Sequence, residues 1–204
     1  MKWYAFLIIN ILLLSSFNTK AQLLSREELD RKKIFTSLQE ALQEPDNVYR
    51  LSLKRLKKTD SLPDEIFLLK NLQELTVTKS KLQKINRNIA QLTNLQYLNL
   101  DHNRLVKLPD ELTCLVHLKK LVISRNMIYK LPEATGNMTA LLEIVAWGNE
   151  LYRLPESITA LSETLKKLDL RQISFRKHEI EKIESQLPKT KILYTNLCDC
   201  QNKR

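Results

Sequence analysis

The residues of this 204-residue chain best suited to chemistry are three histidines and three cysteines. His102, His117 and His178 are scattered, and none shares a register with a serine or cysteine nucleophile. Asp101-His102 are sequence neighbours, but adjacent residues at a strand end point to opposite sides, which argues against a catalytic pair. Two glycines in all leave no phosphate-cradling loop, and neither H-E-x-x-H nor a paired C-x-x-C occurs. The expectation is no enzyme, no metal and no cofactor. Cys198 and Cys200 form a C-D-C tail that can close a strained ring, join another chain or stay reduced, and a redox accessory role is the weakest of three functional readings. Cys114 lies several strands from that tail, too far for an easy bridge. Asn137-Met138-Thr139 matches a glycosylation acceptor, which counts only in a eukaryotic secretory route.

What must position any functional side chain is a repeat. Leu95, Leu98, Leu100, Asn103, Leu105, Leu108, Pro109, Leu112 and Leu115 recur, with like residues, 23 positions earlier and twice 23 positions later. Units begin near residues 48, 72, 95, 118, 141 and 165; the first and last are irregular and lack the asparagine. Numbering slots from the first leucine of each unit, the L-x-L core at slots 4 to 6 alternates with period two and reads as a strand with its leucines inward. Asn103, Asn126 and Asn149 at slot 9 should turn in and bond backbone groups of neighbouring turns, with Ser80 a poorer substitute. The L-P pairs should open a helical or 3-10 turn with proline in its first turn, where a missing N–H costs nothing. One unit buries too few aliphatic side chains to offset ordering its backbone, so stability must come from contacts between units.

This spacing resembles the leucine-rich repeat, in the 23-residue L-P-x-x-I/L form of bacterial and Ras-group proteins, over roughly residues 48 to 194. The resemblance implies an α/β fold: a right-handed solenoid with a concave parallel sheet and short convex helical or 3-10 turns. It also implies a non-enzymatic arc that holds its partner on the concave sheet. Around the repeats, residues 1 to 21 read as a cleaved signal peptide: Lys2, an apolar run from Trp3 to Phe17, and small residues at Thr19 and Ala21. Fifteen residues are too few for a span of ~20. The look of this signal is Gram-negative, so the mature chain should begin near Gln22 in the periplasm, at the cell surface or secreted. Residues 22 to 47 read as a helical cap, with a Ser25–Glu28 capping box and a stripe of Leu29, Ile34, Phe35, Leu38, Ala41 and Leu42. Ile180, Ile183 and Leu187 mark a closing helix, Lys191 to Tyr194 a last strand, and 195 to 204 a tail.

Slots 3, 5 and 7 then face outward from the concave sheet, with slot 8 at its rim. Val122, Val145 and Trp147 form an apolar cluster there, with Tyr97 one strand further on. Arg55, Lys79, His102 and Arg125 make a basic column along one edge, and Arg171 stands beside Trp147 as a candidate cation–π partner. An aromatic anchor ringed by charge has the composition of a binding hot spot. The net charge of +10, or +8 without residues 1 to 21, favours an acidic partner. The leading expectation is a monomer that binds a protein, not nucleic acid; the alternative is an anionic glycan or lipid head group held by the basic column.

Overall fold

The computed structural model describes residues 22–56 and 59–195. The signal-peptide reading and the Cys198–Cys200 pair lie outside the described residues. Eight parallel strands follow one another in chain order in a single open sheet. They are β1 (Ile34–Phe35), β2 (Arg50–Lys54), β3 (Glu74–Thr78), β4 (Tyr97–Asn99), β5 (Lys120–Val122), β6 (Glu143–Val145), β7 (Lys167–Asp169) and β8 (Lys191–Leu193). Parallel neighbours need a crossover, and here each crossover is one turn of a coil, so the chain winds into a solenoid of stacked turns.

The alternation of the sequence sets the register. Leu98 pairs with Leu75 on one side and Leu121 on the other, and all three are buried. Leu100, Val77 and Ile123 fill the next inward position, and the aliphatic residues of every turn join one continuous core. Strand spacing departs from 23 where the sequence has an extra residue: Arg50 faces Glu74, and Glu143 faces Lys167.

On the opposite side of each turn the chain forms short 3-10 helices, among them Asp64–Leu68, Asp110–Cys114 and Glu156–Leu161. Pro63, Pro109 and Pro155 stand just before these helices rather than in their first turn. There the ring fixes an extended approach, and the proline carbonyl accepts the first helical bond, from Ile66, Leu112 and Ile158 at 3.2, 3.1 and 3.0 Å. Where the second turn lacks proline, Asn86 caps instead, its Oδ1 accepting from the Asn88 N–H at 2.8 Å. Gly136 is needed for close approach: a Cβ there would sit 2.1 Å from the Ser157 carbonyl oxygen of the next turn.

The N-terminal cap is not the single apolar helix suggested by its stripe. It breaks into α1 (Arg26–Asp30), strand β1 and α2 (Leu38–Ala41). The Ser25–Glu28 capping box is formed with both arms in place. Ser37 then caps α2, accepting from the Glu40 N–H. Between them Ile34 and Phe35 extend and pair with Arg50 and Leu51, so the exposed edge of β2 is covered by a strand. Six apolar residues at mixed spacing suit either period, and the unpaired edge decides in favour of strand. At the other end α3 (Lys177–Gln186) buries Ile180 and Ile183, with Leu187 buried just beyond its end, and β8 closes the sheet.

Candidate functional site: the outward face and rim of the sheet

Two devices hold the outward side chains in place. The first is the asparagine ladder beneath them. Asn126 Nδ2 donates to the carbonyls of Leu100, Ile123 and Ser124 at 2.9 to 3.1 Å, and its Oδ1 accepts from the Leu105 N–H at 3.0 Å. Asn103 and Asn149 make equivalent bonds to the turns around them. Ser80 manages two: its Oγ accepts from Leu56 N–H and donates to the Thr78 carbonyl. Such bonds satisfy backbone groups that would otherwise be buried unpaired.

The second device is a left-handed pivot at slot 8 of every turn. Arg55, Lys79, His102, Arg125 and Gln172 have φ of 53 to 58°, and Gly148 has 66°. Only Gly148 advertises this in the sequence, since a positive φ favours glycine and costs an L-residue about 1–2 kcal/mol. The basic column of the sequence is therefore a column of strained pivots as well.

Outward residues of the N-terminal turns are partly covered by the cap. Arg26 bonds Asp30 and Glu74 and lays its guanidinium over the Tyr97 ring, 4.6 Å from the centroid. The extended residues before it are tied down by buried Gln73 and Gln96, whose amides bond the backbone of Gln22 and Leu24 at 2.9 Å. Tyr97 is thus a half-buried seat for the cap rather than an open anchor. Arg26, Glu74, Tyr97, Asn99, Lys120 and Val122 bound an open cleft of about 320 Å³ between cap and sheet.

Further along, the face is uncovered. Val122 pairs in register with Val145 on adjacent strands, both half-exposed, and Trp147 lies beyond them. The cation on Trp147 is Arg125, 5.0 Å above the ring, and not Arg171. Arg171 instead folds back on Asp169, two residues earlier, with bonds of 2.9 and 2.7 Å. Asp169 is 2 % exposed, so the nearest cation is drawn to it before any ring can compete. Arg125 is held in turn by Asp101, one turn earlier, whose carboxylate also accepts from Ser124 Oγ at 2.8 Å.

Burial alone would push the Asp101 and Asp169 carboxyls up, but the arginine hydrogen bonds outweigh it and hold both below the usual carboxylate range. Glu143 behaves alike: burial opposes ionisation, and Lys120 and Lys167 at 2.8 and 2.7 Å prevail.

Arg55, Lys79 and His102 stand exposed on the rim. Cys114 is exposed on the far side of the coil. Among the described residues no group of three or more His, Cys, Asp or Glu is placed to hold a metal ion. No helix among them is long and apolar enough to cross a membrane.

The leucine rich repeat family model matches residues 46–105 and 70–128. Among solved structures, a leucine-rich-repeat protein of Leptospira interrogans aligns with a TM-score of 0.60 at 30% identity, over 79% of this chain and 46% of that one. The chain thus spans about half the length of that relative. Internalin C2 of Listeria monocytogenes aligns with a TM-score of 0.64 over 80% of this chain and 68% of its own, and at 20% identity it shares the fold. No curated protein matches the sequence. The matched residues carry leucine-rich repeats and the chain has the leucine-rich-repeat fold, which serves in general as a scaffold for protein interaction.

Proposed function

We infer that this protein is an exported, non-enzymatic scaffold that seats a protein partner on the C-terminal part of its concave sheet. The observation that carries the reading is the Val122–Val145 pair beside Trp147, uncovered on a face whose N-terminal part is partly covered by the cap. Arg125, fixed between Asp101 and the indole, gives the anchor a rigid charged border. A rigid aromatic with a satisfied cation loses little side-chain freedom on binding. Lys120, Lys167 and Arg171 around it suit a partner with acidic groups at the rim of its contact.

The test captures a partner from envelope and host-surface extracts with residues 22–204, identifies it, and measures its affinity for purified variants. Trp147→Ala is expected to weaken binding by about 2 kcal/mol, some 30-fold. Val145→Glu is expected to do at least as much, while Tyr97→Phe, beneath the cap, changes little. Unchanged affinity in both Trp147→Ala and Val145→Glu overturns the reading. Export is tested separately by N-terminal sequencing of the chain expressed in a Gram-negative host. A start at Gln22 in the periplasm supports it, and an intact Met1 in the cytoplasm does not.

A further inference from the structure

The rim of the first three turns carries a second, differently built site. Arg55, Lys79, Lys81 and Arg104 line an open groove of about 640 Å³, and Lys54, Arg55 and Lys79 line a cleft adjoining it. None of these five cations makes an ion pair among the described residues. The one acidic residue lining the groove, Asp60, has its carboxylate 3.7 Å from Lys84. The reason lies in the repeat. Arg125 finds its partner at slot 7 of the preceding turn, which is Asp101. The same diagonal position for Lys79 is Lys54, a second cation.

Like charges gathered without counter-charge raise the energy of the folded chain. Arg55, Lys79 and Lys81 do so at left-handed backbone positions, with φ of 55, 54 and 57°. Glycine and glutamine fill the same pivot at Gly148 and Gln172, so the coil itself does not demand a cation there. The repulsion gathered in this groove is relieved by a ligand that supplies several negative charges.

The shape of the site narrows the ligand. Arg55 with Lys79, and Lys81 with Arg104, sit at matching places on successive turns, so the backbone positions that carry the cations repeat at the rung spacing of ~4.7–4.9 Å. That suits a polymer with an anionic group on each short repeat unit. A groove admits a single chain and excludes a flat bilayer. Its lining holds no aromatic ring on which a nucleobase would stack, and Leu56 is its only large apolar residue, too little for a protein anchor. The exposed amide of Gln83 can bond hydroxyl groups instead. We propose that this groove binds a chain of acidic polysaccharide, its carboxylates or sulfates paired with Arg55, Lys79, Lys81 and Arg104. The site is independent of the Trp147 face.

The test is calorimetric binding of a sulfated hexasaccharide and a hexagalacturonate to residues 22–204 at low and physiological salt. Oligoglutamate of matched charge and vesicles containing phosphatidylglycerol serve as rival probes. The Lys79→Gln/Arg104→Gln double variant keeps a residue type already tolerated at the pivot, and its melting temperature verifies the fold. It should lose about tenfold or more in saccharide affinity, with a shallower salt dependence. Removing two cations elsewhere, in Lys119→Gln/Lys177→Gln, should cost less than about threefold, and Trp147→Ala nothing. The proposal is overturned if the two double variants lose equally or if Trp147→Ala loses as much as the groove variant. It also falls if oligoglutamate matches the saccharides, if only vesicles bind, or if neither saccharide binds.

Discussion

The two halves of the arc handle charge in opposite ways. In the C-terminal turns the cations around Trp147 have carboxylates: Arg125 on Asp101, Arg171 on Asp169, Lys120 and Lys167 on Glu143. In the N-terminal turns Arg50 and Arg26 are paired by Glu74 and Asp30, yet the rim cations further along the same turns are not. The backbone is the same in both halves, down to the left-handed pivot. The difference teaches that a repeat fixes where a side chain stands, while the residues beside it on its own and adjoining turns decide whether it is free.

The largest effects should come from the packing that supports the C-terminal half. Gly136→Ala is expected to lose about 3 kcal/mol in chemical denaturation, because the new Cβ meets backbone rather than a movable side chain. Gly148→Ala has room, its Cβ 3.5 Å from the nearest atom, and should lose about 1 kcal/mol through its φ alone. Equal losses would show that the close approach of the fourth and fifth turns is not the constraint.

Next comes the ladder. Asn126→Ala should cost ~2 kcal/mol and Ser80→Ala ~1 kcal/mol, since one leaves four buried bonds unmade and the other two. A larger loss at Ser80 would reverse the ranking of the two halves.

Acid should separate the halves further. Asp101, Glu143 and Asp169 have folded pKa values below their unfolded ones. The stability they add is therefore complete above about pH 4 and drains as pH falls through the folded values. A melting profile should decline below about pH 4, and the Asp101→Asn/Glu143→Gln/Asp169→Asn protein should decline less steeply. Parallel profiles would count against these pairs as the cause.

The smallest effect is Arg125→Gln, expected at ~0.5–1 kcal/mol with a change in Trp147 fluorescence. An unaltered emission spectrum would place the guanidinium elsewhere in solution.

Much of this architecture is readable in the residues. Leu98, Leu100 and their counterparts declare the strands, and Asn103, Asn126 and Asn149 the inward turns, because both follow from a local period. Three things were not readable, each for a nonlocal reason. Tyr97 lies under Arg26, 71 positions away, through a cap whose apolar stripe gives no hint of where it docks. Arg171 and Arg125 both flank Trp147 by slot, and only the burial of Asp169 removes the first from contention. The pivots are invisible because five of the six at slot 8 are not glycine.

Of the two outermost strands, the first is a stub of two residues, Ile34–Phe35, and the last, Lys191–Leu193, begins with an exposed lysine. An open row of amides and carbonyls invites a neighbour to dock and propagate a fibre, and brevity with a lysine discourages it. Growth of such a coil by gene duplication is therefore easiest between inner strands, where a spliced-in copy finds a pairing partner on both sides.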